Sequence, residues 1–259
     1  MRYACAMLLA CALSSSAEIC SDCSADKLCA RHLEEDKAAA KTFQKEMGHP
    51  DPEARKTALE AFAAGCRLHS NCRPPVNAQL LGIALKDPSP ALRAAAARLL
   101  GEQHGPTAAK LLEKEVEPLV KRLGKDPKNE KEDQVWLDEL EVLSGICEGL
   151  GILAVPEAGP AMAKVLESNR LKVLTVAAKH LATIRSKVLV PALIDAIDRV
   201  RKTGPTADGR DAAYLGLMTA WEKLTSSGVK LPVPGDATEA TRFVSECKAW
   251  WKANEKTWK

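Results

Sequence analysis

The residues best equipped for chemistry are the cysteines. Nine occur in 259 residues, and of the seven beyond residue 17 five crowd towards the N-terminus: Cys20, Cys23, Cys29, Cys66 and Cys72. Clustered thiols of an exported chain form disulfides first of all. A second use is metal binding, because Cys20, Cys23, Cys29 and His32 have a C-x2-C-x5-C-x2-H spacing that presents four soft ligands. A redox-active Cys20/Cys23 pair is the weakest of the three readings, since such pairs sit in a βαβ frame and none surrounds this one. The elements that would position these thiols favour bridges. A helical hairpin turning near His49 returns the chain around Cys66 beside residues 29–32, so Cys29–Cys66 would lock two helices at their open end. Cys72 would then take Cys20 or Cys23. The metal site stays open as the alternative.

The remaining candidates for chemistry are sparse. Cys147 lies between Ile146 and Glu148 on a helical stretch and reads as a small apolar core residue, and Cys247 precedes Trp250 and Trp251. His32, His49, His69, His104 and His180 are dispersed and mostly near turns. No HExxH, GxSxG or GxxxxGK[ST] stretch occurs, so the metalloprotease, hydrolase-elbow and phosphate-loop readings find no motif. Glu139, Glu141 and Glu148 read as the polar face of a long helix. The expectation is a non-enzyme with no catalytic residues and no cofactor.

The first seventeen residues bear on compartment. Arg2 precedes an apolar run from Tyr3 to Leu13, and Ser14-Ser15-Ser16-Ala17 supplies small residues for cleavage after Ala17. The run has the length of a signal peptide and is too short to span a bilayer. The chain is therefore expected to be exported, periplasmic or extracellular. Leu8-Leu9-Ala10-Cys11 resembles a bacterial lipoprotein box, which leaves a lipid anchor at Cys11 as a minority option. Without residues 1–17, the formal charge falls from +3 to +2 and the cysteines from nine to seven. Such a near-neutral balance argues against a nucleic-acid partner. No second apolar run is long enough for a transmembrane span.

Composition then sets the scaffold. Hydrophobic residues make up 46% and aromatics only 4%, so the core must be aliphatic, and Ala and Leu favour helix. Pro and Gly punctuation predicts helices over 26–47, 53–66, 76–86, 90–103, 107–124, 133–153, 157–167, 170–184, 188–202 and 209–225, then a last one over 238–254. Two of these starts are near copies at an offset of 38 residues, with Pro50, Pro52, Arg55 and Ala58 meeting Pro88, Pro90, Arg93 and Ala96. A period in this range signals stacked repeats. The second helix of each pair carries a small residue four positions before a large apolar one: Ala58/Phe62, Ala96/Leu100, Ala177/Leu181 and Ala220/Leu224, with Ile146/Leu150 as the exception beside Gly145. The longest repeat owes its excess to the charged loop from Lys125 to Glu132.

Ala84-Leu85-Lys86-Asp87-Pro88-Ser89-Pro90-Ala91-Leu92-Arg93 and Leu150-Gly151-Ile152-Leu153 followed by Pro156 to Leu166 resemble the HEAT-repeat pattern of the phycobilisome-lyase-like kind. Leu181 to Ile197 repeats the theme, and the resemblance covers about residues 30–225. It implies an all-α fold, an α-solenoid of about five HEAT-like antiparallel helix pairs with a C-terminal capping helix. It also implies that Asp87 and Arg93 tie neighbouring repeats together. Ser168-Asn169 in place of Asp-Pro, and Leu174 in place of Arg, break that ladder in the fourth repeat. The family has a chromophore-attaching branch, but no residue here points to a chromophore site.

The expected organisation is a signal peptide over 1–17, a Cys-rich segment over 18–29, the repeats over 30–228, and a Pro-rich link with a Trp-containing capping helix over 229–259. Phe243 and Trp250 stand seven apart and share a face that could dock on the last repeat. The second helices line the concave side in this family. That makes Lys56, Arg93, Arg98, Lys172 and Lys179 the candidate groove residues, and an acidic protein partner the expectation for those not used in pairing.

Overall fold

The computed structural model describes residues 30–68, 75–103, 106–203, 207, 209–233 and 235–258. Eleven α-helices account for most of these, and no strand occurs among them. They are α1 (Ala30–Met47), α2 (Pro52–Leu68), α3 (Pro75–Ala84), α4 (Pro90–Glu102), α5 (Pro106–Leu123), α6 (Glu130–Leu153), α7 (Gly159–Leu166), α8 (Leu171–Ala178), α9 (Leu189–Lys202), α10 (Arg210–Thr225) and α11 (Ala237–Asn254). None of them is long and apolar enough to cross a membrane.

Local chemistry sets the helix starts. Pro52, Pro75, Pro90 and Pro106 each open a helix, where a missing N–H costs nothing. Asp51 Oδ1 accepts the Glu53 amide at 3.0 Å, and Asp236 Oδ1 accepts the amides of Thr238 and Glu239 at 2.8 and 2.9 Å. The start of α6 is doubly capped: Asn129 Oδ1 accepts the Glu132 amide at 3.0 Å, and Glu132 Oε2 accepts the Lys128 amide at 2.9 Å. The 170–184 stretch departs from the single helix read from its pattern. The α-helix stops at Ala178, and a 3-10 turn follows over Leu181–Thr183. There Thr183 Oγ1 donates to the Gly151 carbonyl of α6 at 2.8 Å, a tertiary bond that the sequence pattern did not contain.

Helices one apart in the chain form pairs, and helices two apart also touch. α1–α3, α3–α5, α5–α7, α7–α9 and α9–α11 make one set of contacts, while α2–α4, α4–α6, α6–α8 and α8–α10 make the other. In the even set α4 and α6 run parallel, since Arg93 meets Glu139 and Arg98 meets Glu148. The α9–α11 contact is reversed, because Asp198 meets Lys248 whereas Arg201 meets Thr241. One contiguous apolar core runs from Phe43 to Cys247. The small-then-large landmarks fall inside it: Ala96, Leu100, Ala177, Leu181, Ala220 and Leu224 are all buried.

The closest approach is between α4 and α6. A Cβ placed on Gly145 would lie 2.5 Å from the Ala94 carbonyl oxygen, and one on Gly101 would lie 2.5 Å from that of Gly149. These helices meet backbone to backbone, with Ala94, Ala97 and Gly101 on one side and Gly145 and Gly149 on the other.

Candidate partner-binding surface

The five groove candidates reach the even helices, but the structure divides them. Arg93 of α4 donates from Nη2 to Glu139 Oε1 of α6 at 3.1 Å, and Arg98 Nε donates to Glu148 Oε2 at 2.7 Å. Both are committed to the α4–α6 contact. Lys56 stands 3.8 Å from Glu53 on its own helix, a solvated pair. Lys172 of α8 is exposed and places its ammonium 5.8 Å from the Trp136 ring centroid, and Lys179, also exposed, caps the C-terminus of α8.

The implied role of Asp87 has a definite geometry. Its carboxylate accepts from Arg55 Nε at 2.7 Å and Nη2 at 3.0 Å, while Arg55 Nη1 donates to the carbonyls of His49 and Pro50. Asp87 Oδ1 also takes the Ser89 amide at 2.8 Å. This planar fork joins the α1–α2 turn to the α3–α4 turn. The hydrogen bond and charge of Asp87 raise the Arg55 pKa further. At the next step the rung changes. Arg93, which aligns with Arg55, goes to Glu139, and the loop carboxylate Asp126 pairs instead with Arg170 at 2.5 Å. In the fourth repeat Ser168 Oγ accepts only the Arg170 amide, at 3.1 Å, and the nearby Leu166 carbonyl accepts from Arg199 of α9.

Glu139 is a node that its sequence setting did not reveal. It accepts from Arg93 of α4 and, through Oε2, from Arg122 of α5 at 2.7 and 3.1 Å, so a single carboxylate ties three helices. Beside it lies Trp136, whose indole N–H donates to the Leu123 carbonyl at 3.0 Å. Trp136 was not singled out by sequence. The available signal was a lone tryptophan one turn after the charged loop. Around it is a shallow pocket of about 120 Å³, lined by Leu123, Lys125, Asp126, Pro127, Val135 and Trp136, with Arg122, Glu132 and Glu139 completing the wall. Small-molecule and cofactor sites take roughly 300–1,000 Å³, so this volume suits one side chain. A broader depression beside Lys110, Glu113, Lys114 and Pro118 has walls from α5 alone.

Exposed large apolar residues favour the even helices. Val135, Leu137 and Ile152 belong to α6 and Leu215 to α10, whereas Ile83 is the single example on an odd helix among the described residues. Helix length explains part of this. The 24 residues of α6 span about 36 Å against about 12 Å for the 8 of α8, so the first turns of α6 run past their neighbours.

The thiols divide in the same way. Cys147 and Cys247 are buried and unpaired, and burial pushes each pKa up to about 12, as expected of core residues. Cys20, Cys23, Cys29 and Cys72 lie outside the described residues, as do the signal segment and Cys11, and only the backbone is described for His32 and Cys66, in α1 and α2. Among the described residues no three His, Cys, Asp or Glu side chains gather as a metal site. At the C-terminal end Phe243 is fully buried, and Trp250 meets the buried Trp221 edge-on with centroids 5.5 Å apart. Compared with known proteins, the chain matches no family model, and no curated protein matches it.

Proposed function

We propose that this chain is a non-catalytic interaction module that binds another protein along the outer face of its even helices. The fold reading behind the proposal is a HEAT-like α-solenoid of five helix pairs closed by α11, with α2, α4, α6, α8 and α10 on the concave side. Supporting it are the two separate sets of contacts between helices two apart and the parallel run of α4 and α6. The observation that carries the binding reading is the distribution of exposed apolar side chains, four on even helices against Ile83 on an odd helix and Val188 at the N-cap of another. Contiguous apolar surface left in water marks interaction sites, and α6 carries three of these residues.

Export belongs to the same proposal, and with it a disulfide joining the 20–29 segment to the 66–72 segment. A bridge closing a loop of about 37 residues would contribute on the order of 3–4 kcal/mol. Peptide mapping under non-reducing conditions tests it; thiols titrating free with stoichiometric zinc would replace it with the metal site. For the surface itself, a photo-crosslinking residue at Ile152 or Leu215 should capture a partner protein from a bacterial envelope fraction, and one at Ile83 should not. Capture at Ile83 alone would overturn the assignment of the face.

A further inference from the structure

The loop from Lys125 to Glu132, which makes this repeat the longest, is built into a wall. Arg170 binds Asp126 at 2.5 Å and the Gly124 carbonyl at 2.9 Å, so the start of α8 holds the loop from one side. Trp136 binds the Leu123 carbonyl, and Asn129 and Glu132 close the loop onto α6. Glu139, only 12% exposed, fixes the base through Arg93 and Arg122. The loop, the tryptophan and the base of the pocket are therefore held before anything binds, which lowers the ordering cost of binding. Its lining also includes Trp and Arg, the residue types that dominate binding energy at interfaces.

Its charges are unevenly satisfied. The three lining carboxylates are occupied within the protein: Asp126 by Arg170, Glu139 by Arg93 and Arg122, and Glu132 by the Lys128 amide. The Arg170 hydrogen bond and charge hold the Asp126 carboxyl below the usual range. Two cations at the rim are not so occupied. Lys125 is exposed and lines the pocket, and Lys172 stands over the Trp136 ring, neither within ion-pair reach of a carboxylate among the described residues. Val135 beside them is 54% exposed. Two lysines without carboxylate partners among the described residues, beside a cavity of one-side-chain size, suit a particular ligand.

We infer that the Trp136 pocket is the anchor point of the partner, taking one aliphatic side chain from an acidic peptide segment whose carboxylates meet Lys125 and Lys172. This rests on the reading of the even helices as the binding face and adds where on it the partner is gripped and by what chemistry. A partner helix or strand would lay its apolar residue against Trp136, Pro127 and Val135 and its flanking acids against the two lysines. Association would then weaken with salt, because the rim charges are solvent-exposed.

The test uses the full chain, isotope-labelled so that tryptophan indole N–H signals are seen by NMR, with Trp136→Phe assigning the signal concerned. The probe is a capped pentapeptide with one leucine between two pairs of glutamates. Two controls replace the leucine by alanine or the glutamates by lysines. The leucine peptide should shift the Trp136 indole signal, the alanine peptide should bind at least about tenfold more weakly, the least that a pocket loses with one methylene, and the lysine peptide should leave the signal in place. Lys125→Glu combined with Lys172→Glu, in a protein of unchanged circular dichroism, should abolish the shift. Equal binding of the leucine and alanine peptides would overturn the pocket. So would shifts confined to amides around Lys179 and Leu215, which would leave the binding face standing. No response anywhere up to about 10 mM peptide would overturn both.

Discussion

Replacing a helical glycine by alanine ordinarily stabilises a protein, by up to about 1 kcal/mol. Gly145→Ala should do the opposite here. The new Cβ would lie 2.5 Å from the Ala94 carbonyl oxygen and 2.8 Å from its Cα, and both are main-chain atoms that no rotamer change can move. Ordinary contact begins near 3.4 Å, so α4 and α6 must part by roughly 1 Å. Parting them loosens Ala94, Ala97, Ile146 and Leu150, all fully buried. Overpacked cores lose about 1–3 kcal/mol, and a backbone-on-backbone clash belongs at the upper end. Subtracting the helix gain leaves a net loss of about 2 kcal/mol, or about 4–8 °C in Tm for a chain of this size. Gly82→Ala is the matched control, because its Cβ would meet only the tip of the Leu111 side chain at 3.3 Å. Thermal melts followed by circular dichroism compare the pair. If Gly145→Ala melted at or above the parent temperature, the described backbone contact between α4 and α6 would not exist.

Asp87→Asn or Arg55→Met alone should destabilise the first two helix pairs, since each strands a buried polar partner, while the double change Arg55→Met/Asp87→Leu should recover much of the loss; denaturant titrations of the three variants decide it. Alkylation at pH 8 should modify Cys147 and Cys247 only after unfolding, because burial holds both thiols protonated with pKa values of about 12; mass spectrometry of the native protein finding either thiol modified at once would contradict the packing. For Asp198, burial pushes its pKa up, but hydrogen bonds from Lys202 and Arg201 outweigh that and bring it down to about 2. A carboxyl with a lowered folded pKa stabilises the protein above its unfolded value near 4 and loses that contribution as pH falls from about 4 to 2, an effect of about 1 kcal/mol after solvent screening. Asp198→Asn should flatten the stability curve in that window.

What could be read from sequence was whatever local chemistry decides. Proline at the first turn, an Asx cap and an aliphatic stripe fixed nearly every helix of α1 to α11 within a few residues, and the buried fate of Cys147 followed from its neighbours. The Ile146 exception to the small-residue rule was also visible, although its meaning was not: Ile146 fills the core while Gly145 beside it takes the close contact with Ala94. Long-range choices stayed hidden. Alignment with Arg55 gave no reason for Arg93 to bond Glu139, because the partner lies 46 residues on and is selected by how α4 and α6 stack. Trp136 looked like one polar-helix residue among many until the loop folded beside it. The stop at Ala178 depended on a hydroxyl from Thr183 reaching Gly151, which no periodicity encodes.

The backbone contact between α4 and α6 also has a mechanical meaning. Where two helices touch through glycine and alanine, no long side chains can re-pack, so the joint resists shear and behaves as one stiff plate. The next joints along the even helices are of another kind. At Gly151 a new Cβ would stand 3.1 Å from both the Cβ and the carbonyl oxygen of His180, and at Gly216 it would stand 3.1 Å from the Cβ of Ala178, so neither approach is as close as the 2.5 Å met at Gly145. Stiffness is thus concentrated where α4 meets α6, and Trp136, which stands on α6, is carried with that plate.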